Sequence, residues 1–273
     1  MKIIDRVIFC LNNNENYIDF WNYISKVYKL KFDIIPTLAF NGTEEEYENL
    51  KNRLSTQYGE IIFYPRIIGI DYDKNLDWTC TWSLFKTASL YENEICMLSG
   101  IDQIPLSGIF FQEIKKLNPY ENYIIGFSDA YNETVKNIFG DIVYPSSHHV
   151  GMGKLYKKIY EIEDTWNDEL SKVNTYRHMC TCQSCWGMDE LYSSHMIKKY
   201  MTNNSNIIFV KNFSERWQKN RIDRSSGKIK VTQDLLNRIS KDEFTEYHSI
   251  RPFSLNQNMN LIFDHINKQE NYI

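Results

Sequence analysis

Apolar positions along this chain change their period from one segment to the next. Arg6 to Leu11 is a continuous apolar run, which predicts a buried strand, and Ile18, Trp21, Ile24 and Tyr28 then recur at helical spacing over residues 17 to 30. Phe32 to Phe40 returns to strand character. Thr43-Glu44-Glu45-Glu46 is a capping box that predicts a helix to about Tyr58, because the Thr43 hydroxyl can cap free amides while Glu46 reaches back. Glu60 to Pro65 reads as a third strand, residues 79 to 91 as a helix and Glu94 to Leu98 as a fourth strand. That strand is fully apolar, as a central strand covered on both faces must be.

The second half is less regular. It predicts a helix capped by Ser107 and running through Lys116, a strand over Tyr123 to Phe127, a short helix from Asn132 to Phe139 and a strand from Ile142 to Pro145. A loop follows over residues 146 to 154, then helices near 153 to 163 and 188 to 201, a strand from Asn206 to Lys211, and helices near 231 to 240 and 254 to 268. Strands and helices in alternation predict an α/β fold with a mostly parallel central sheet, helices on both faces, and one compact domain. In such sheets ligands bind at the carboxyl ends of the strands, where strand order reverses. Asp102 falls just past the end of the most apolar strand, in Cys96-Met-Leu-Ser-Gly-Ile-Asp102, and a carboxylate there is suited to a hard divalent cation that bridges phosphates.

Composition narrows the field. The 273 residues include 19 Tyr and 15 Phe and are 42% hydrophobic, so the chain is globular rather than disordered. A formal net charge of −4 gives no field that favours nucleic acid. No apolar stretch approaches the ~20 residues of a membrane span, and Asp5 and Arg6 interrupt the only N-terminal candidate for a secretory core. The expectation is a protein of a reducing compartment, the cytoplasm, in which the sequons at Asn41, Asn132, Asn203 and Asn212 carry no message. His178, Cys180, Cys182 and Cys185 are dense enough for a metal knuckle, but the second Cys-x-x-Cys pair is missing, so they are expected to be reduced thiols.

Trp186-Gly-Met-Asp-Glu190 is the other stretch with a chemical reading. Its two adjacent carboxylates, Asp189 and Glu190, are of the residue type that takes up a proton in general-base catalysis. Trp186 offers a flat apolar face and Gly187 allows close approach. Carboxylates also open many helices for the sake of the dipole alone.

Several segments together resemble a known group. Asp19-Phe-Trp21 with Ser25-Lys26, Gly69-Ile-Asp71, Cys96 to Leu106, Tyr144-Pro145 leading to His149 and Gly153-Lys154, Trp186 to Glu190, Arg221-Ile-Asp-Arg-Ser225 and His248-Ser-Ile-Arg-Pro-Phe253 resemble GT-A-fold glycosyltransferase domains. The group is typified by the rhamnosyltransferase-like domain of large DNA viruses of algae, and the resemblance spans about residues 6 to 253. It implies a Rossmann-like GT-A fold, with residues 1–103 as the nucleotide-binding half and 104–273 as the acceptor-binding half. It also implies a sugar transferase that uses a nucleotide diphosphate sugar donor, Mn²⁺ or Mg²⁺, and a glycan acceptor, in the host cytoplasm if the chain is viral.

Residue by residue, the resemblance implies Asp102 and His248 as metal ligands, Asp189 and Glu190 as catalytic groups, and Asn12, Asp71, His149, Lys154, Arg221 and Arg251 as donor-binding groups. The family's strand-end motif is Asp-x-Asp, whereas this chain reads Gly100-Ile101-Asp102. One negative charge is therefore missing from the expected metal site, and Asp71 or Asp73 is a candidate to replace the lost ribose contact. Two other readings are weighed. A sugar nucleotidyltransferase needs a glycine-rich basic loop after the first strand, where this chain has Asn12-Asn-Asn-Glu-Asn-Tyr17. A carbohydrate- or nucleotide-sugar-binding protein of the same fold, without turnover, finds its support in Gly100. Trp82 and Lys86 lie one helical turn apart near the expected crevice, with core packing the expectation for Trp82.

Overall fold

The computed structural model describes residues 3–66, 77–118, 122–127, 136–176, 187–205, 207–210, 220–224, 230–255 and 259–268. Its main sheet has seven strands in the order β3-β2-β1-β4-β7-β6-β8. These are β1 (Arg6–Leu11), β2 (Ile35–Gly42), β3 (Glu60–Pro65), β4 (Ile95–Leu98), β6 (Ile124–Phe127), β7 (Val150–Met152) and β8 (Ile207–Val210). β1 pairs in parallel with both β2 and β4, β2 with β3, and β6 with β8. β7 alone runs antiparallel, against β4 and β6. Strand order reverses between β1 and β4, and the crevice of an open α/β sheet opens at such a reversal.

Successive side chains of each strand feed two different cores, because a strand's side chains alternate between faces. Val7, Phe9 and Leu11 pack on one face with α1 (Phe20–Phe32), α4 (Ile109–Lys116), α8 (Gln233–Ser240) and α9 (Met259–Lys268). Ile8, Ala39, Cys96 and Leu98 pack on the other with α3 (Asp77–Leu90), α5 (Gly153–Ile159), α6 (Trp166–Asn174) and α7 (Met188–Met201). Trp82 belongs to the second core, fully buried, with its indole N–H donating to Glu169 Oε1 at 2.7 Å. Lys86 is likewise structural, its ammonium donating to the carbonyls of Glu163 and Asp164 at 2.6 and 2.9 Å.

The expected elements differ in several places, each for a local reason. The Thr43–Glu46 capping box forms, but α2 (Glu44–Leu50) ends well short of Tyr58. Beyond it, Asn22 on α1 binds the backbone at Arg53 and Ser55 and the Trp21 indole donates to the Ser55 carbonyl, so those groups are satisfied without a helix. Gly108, not Ser107, stands at the start of α4. Over residues 136–139 there is no helix, and Ile142 makes only an isolated bridge to Lys136 in place of a strand. The segment expected as a loop at 146–154 contains β7.

A second sheet, unforeseen from the sequence, joins β5 (Gln103–Pro105), β10 (Glu246–His248) and β9 (Arg221–Asp223) in the order β5-β10-β9. β10 runs antiparallel to β5 and parallel to β9, with Gln103 opposite His248 and His248 opposite Asp223. Partners in register project to one side of a sheet. The strand that starts one residue after Asp102 is thereby tied to a segment some 145 positions later in the chain.

Gly153 shows how tightly the start of α5 is seated against the carboxyl end of α3. A Cβ there would lie 2.1 Å from the Tyr91 carbonyl oxygen and 2.6 Å from that of Ala88, both backbone atoms that cannot turn aside. Gly153→Ala is expected to cost about 1–3 kcal/mol, read as a lowered urea midpoint at unchanged slope.

Candidate active site

Where β1 and β4 end, a cleft with two chambers opens. The larger, of about 200 Å³, is lined by Leu11, Asn12, Asn14 and Tyr17 from the end of β1, by Cys80 and Thr81 from α3, and by Gly100, Ile101 and Asp102. The smaller, of about 120 Å³, is lined by Leu84, Ser99, Ser146, Ser147, Asp189 and Glu190. Cys10, Thr81 and Gly100 border both, so the two chambers adjoin.

Asp102 is 7% exposed and collects positive charge. Its Oδ2 lies 3.0 Å from Arg224 Nη1, 3.1 Å from Arg251 Nε and 3.6 Å from His248 Nε2. The first is a charge-assisted hydrogen bond, the second an ion pair, and the third is too long for a hydrogen bond. His248 Nδ1 lies 3.1 Å from Asp223 Oδ2 and also contacts Arg221. Arg221 continues the chain of charges, with Nη2 2.6 Å from Asp223 and Nη1 3.3 Å from Glu246. Glu246 in turn accepts from His148 Nε2 at 2.9 Å. Burial alone would raise the Glu246 carboxyl, but His148, Arg221 and His248 around it hold it below the usual carboxylate range. Arg251 also lies over the Tyr17 ring, 4.8 Å from its centroid, so one guanidinium spans from Asp102 to the wall of the larger chamber.

Gly100 has a neighbour in the place a longer side chain would take. Gln103 folds back so that its Oε1 accepts the Gly100 N–H at 2.9 Å, and a Cβ on Gly100 would lie 3.0 Å from that same oxygen. The missing first acid of the strand-end motif thus corresponds to a closed amide turn. The donor chemistry left around Asp102 is one hard carboxylate and one imidazole. Among the described residues no group of three His, Cys, Asp or Glu side chains is arranged to hold a metal ion. Asp102 Oδ2 and His248 Nε2, 3.6 Å apart, are an oxygen and a nitrogen of the kinds that divalent cations take as ligands.

Asp189 sits in the first turn of α7, 4% exposed, on the floor of the smaller chamber. Burial pushes its carboxyl up to about 6, against hydrogen bonds from the Ser146 and Thr81 side chains and nearby backbone that pull it down. Glu190 Oε1 accepts the Ser146 N–H at 3.3 Å and also faces the chamber. A carboxylate poised near neutrality, in a cleft, beside hydroxyl donors, has the properties of a general base.

The structure gathers most of the candidate residues and separates two. Asp102, His248, Arg221 and Arg251 share one charge network, Asn12 lines the larger chamber, and Asp189 and Glu190 line the smaller one. His149 does not face the cleft. It is 1% exposed in the second core's surroundings, its Nδ1 3.2 Å from the Tyr160 hydroxyl, and burial lowers its imidazole to about 4. Lys154 is exposed, and its backbone N–H donates to Glu92 ahead of β4, at the opposite end of that strand from Asp102. Asp71, Asp73, Trp186 and the His178–Cys185 cluster lie outside the described residues. Sequence reasoning missed Glu246, His148, Thr81, Ser146 and Tyr17. Only Tyr17, beside the asparagine run, carried a local signal.

No protein-family profile matches the chain, and no curated protein matches it in sequence. Solved structures do match. The galactosyltransferase LgtC in complex with donor and acceptor sugar analogs superposes with a TM-score of 0.50 at 10% identity, covering 98% of this chain and 97% of its own. An active-site mutant of LgtC superposes with a TM-score of 0.50 at 11% identity, covering 94% of each chain. At such identities the likeness is one of architecture, and the seven-stranded α/β domain described above has the GT-A fold of glycosyltransferases.

Proposed function

We propose that this chain is a glycosyltransferase that takes a nucleotide diphosphate sugar in the larger chamber and moves its sugar, in the smaller chamber, to a hydroxyl of a glycan or glycoconjugate. One observation carries the reading: Asp102 and Asp189, two buried carboxylates with different surroundings, line adjoining chambers at the reversal of strand order. Asp102 is ion-paired with two guanidiniums, whereas burial biases Asp189 toward taking a proton. LgtC, of the same fold, was solved with donor and acceptor sugar analogs bound, which supports the assignment of both chambers. The motif resemblance to rhamnosyltransferase-like domains supports a hexosyl or deoxyhexosyl donor.

In this reading the Asn12 and Asn14 amides and the Tyr17 ring receive base and ribose, since amides offer donor and acceptor together and a ring offers a flat face. Arg224 and Arg251 present guanidinium forks to the diphosphate. Asp189 accepts the proton of the acceptor hydroxyl as it attacks, with Ser146 and Thr81 holding the carboxylate in place, and Glu190 orients the acceptor. Asp102 and His248 would hold a divalent cation, Mn²⁺ or Mg²⁺, which when bound supplies charge neutralisation to the leaving diphosphate. Among the described residues no helix is long and apolar enough to cross a membrane.

Incubation with UDP-, GDP- and dTDP-sugars, with and without Mn²⁺, tests the proposal through nucleotide release and thermal shift. At least one sugar nucleotide is expected to raise the melting temperature and release nucleotide when a glycan acceptor is added. Stabilisation without release in any combination would instead favour a binding protein, the reading to which the closed turn at Gly100 lends support.

A further inference from the structure

The chain that leads into Ser146 begins with a turn that shows its apolar side chains to solvent. Ile138 is 50% exposed and Phe139 49%, and among the described residues they are the one pair of neighbours that are both large, apolar and half exposed. Scattered apolar residues on a surface need no explanation, but an adjacent pair on a fixed support marks a binding surface. The support here is fixed. Asn137 is 7% exposed, its Oδ1 accepts the N–H groups of Phe139 and Asp141 at 3.0 Å each, and its own N–H donates to the Asp141 carbonyl at 3.0 Å. Gly140 closes the turn at φ +77°, where a side chain is strained.

This turn is anchored on α7 beside the smaller chamber. Asn137 Nδ2 donates to the Leu191 carbonyl at 3.5 Å, Asp141 Oδ2 lies 3.1 Å from His195 Nδ1, and the Phe139 and His195 rings lie 4.5 Å apart between centroids. From there the chain follows α7 back to the chamber. The Tyr144 N–H donates to Ser194 Oγ at 2.8 Å and the Ser146 N–H to Glu190 Oε1 at 3.3 Å, and Ser146 and Glu190 both line the chamber. His195 follows Glu190 on the same helix by about 7.5 Å of axial rise. The turn therefore sits next to the chamber and outside it.

Its chemistry suits one kind of ligand. A sugar ring has an apolar face of C–H groups and a rim of hydroxyls. The half-exposed Phe139 ring matches the face, while Asp141 and His195, with side chains 13% and 26% exposed, carry groups that exchange hydrogen bonds with the rim. A wholly apolar partner would desolvate that carboxylate without repaying it. The separation from Glu190 sets the ligand's length, because a chain of sugars spans it and a single sugar seated in the chamber does not.

We propose that Phe139, with Asp141 and His195, forms a carbohydrate platform that holds the distal part of an oligosaccharide whose end lies in the smaller chamber. The acceptor is then a glycan chain and not a single sugar. Its role toward an acceptor rests on the assignment of that chamber to sugar transfer, whereas binding at the platform is measurable without turnover.

The test uses the full chain and saturation-transfer NMR titrations with cellohexaose, mannohexaose and chitohexaose, each beside its own monosaccharide. At least one hexasaccharide is expected to bind the wild-type protein roughly tenfold or more tightly than its monosaccharide, since it engages two surfaces at once. Phe139→Ala is expected to weaken that hexasaccharide by roughly three- to tenfold, the worth of one aromatic contact. Leu90→Ala, at an equally exposed apolar side chain at the end of α3, is expected to bind it as the wild type does. Hexasaccharides that bind no more tightly than monosaccharides, or equally well to Phe139→Ala, overturn the platform; nucleotide release from a sugar nucleotide would then leave the transferase reading standing. A hexasaccharide held through Phe139 by a protein that binds no sugar nucleotide upholds the platform and overturns the transferase reading. Self-association of the wild type that Phe139→Ala abolishes, seen by sedimentation, would give the surface to a second copy of the chain and overturn the proposal.

Discussion

Asp189→Asn is expected to lose roughly 10²- to 10⁴-fold in sugar transfer, the range associated with removing a positioned general base, while the protein itself becomes more stable at neutral pH. The two effects have one cause. Burial raises the Asp189 carboxyl to about 6, so the folded protein holds a proton there more firmly than the unfolded chain, whose carboxyl titrates near 3.8. The stabilisation from protonation is fully present below the unfolded value and is lost as pH rises through about 6. At pH 7 the folded state therefore carries a charge in a place that disfavours it, and a neutral amide of the same shape removes that strain. The wild-type turnover is expected to fall on the acid side of about pH 6, where the base is consumed. Thermal melts and a pH–rate profile together check this. An Asp189→Asn protein that melts lower at pH 7, or that retains turnover within about threefold of wild type, would show that the carboxylate serves structure and not chemistry.

Asp102→Asn is expected to cost about 10²- to 10³-fold in turnover, the size of effect seen when one electrostatic group at a developing charge is removed. Unlike Asp189, it should also lower stability, because Arg224, Arg251 and His248 converge on this carboxylate and lose their counter-charge. The loss should stay below the ~3–5 kcal/mol of a fully buried broken pair, since both arginines are partly exposed and can turn to water. Lys154→Ala provides the contrast: exposed and at the far end of β4, it should leave turnover and melting temperature unchanged. Steady-state rates with a responsive sugar nucleotide and chemical denaturation measure both effects. Unaltered turnover in Asp102→Asn would remove this residue, and any cation assigned to it, from the reaction.

Opposite stability effects from two buried acids also say something about the site as a whole. Asp102 is embedded in compensating charge and its position is held by ion pairs. Asp189 has hydroxyl and amide partners, which solvate an anion less completely than water does. The two chambers thus give their carboxylates different surroundings, ion pairs at Asp102 and neutral hydrogen-bond donors at Asp189.

Much of this architecture was legible in the residue order. The continuous apolar runs at Arg6–Leu11 and Ile95–Leu98 announced central parallel strands, because only strands covered on both faces can afford no polar alternation. Thr43 and Glu46 fixed a helix start through bonds that span three residues. The position of Asp102 after the most apolar strand, and of Asp189 in the first turn of a helix, followed from the same local rules. Short strands defeated that reasoning. β5, β9 and β10 are three residues each, too brief for a period to show, and they exist because they pair with one another across long separations.

What the sequence determined by itself was therefore the alternation of strand and helix, the place of the sheet's crevice and the positions of Asp102 past a strand end and Asp189 in a first helical turn, since each depends on neighbours within a few positions. Only the tertiary structure decided which distant charges meet those acids. It set Arg224, Arg251 and His248 on Asp102, set Ser146 and Thr81 on Asp189, and withdrew His149 into the core and Lys154 to the far end of its strand. Electrostatics and burial act through space, between residues more than a hundred positions apart, and leave no trace in local spacing.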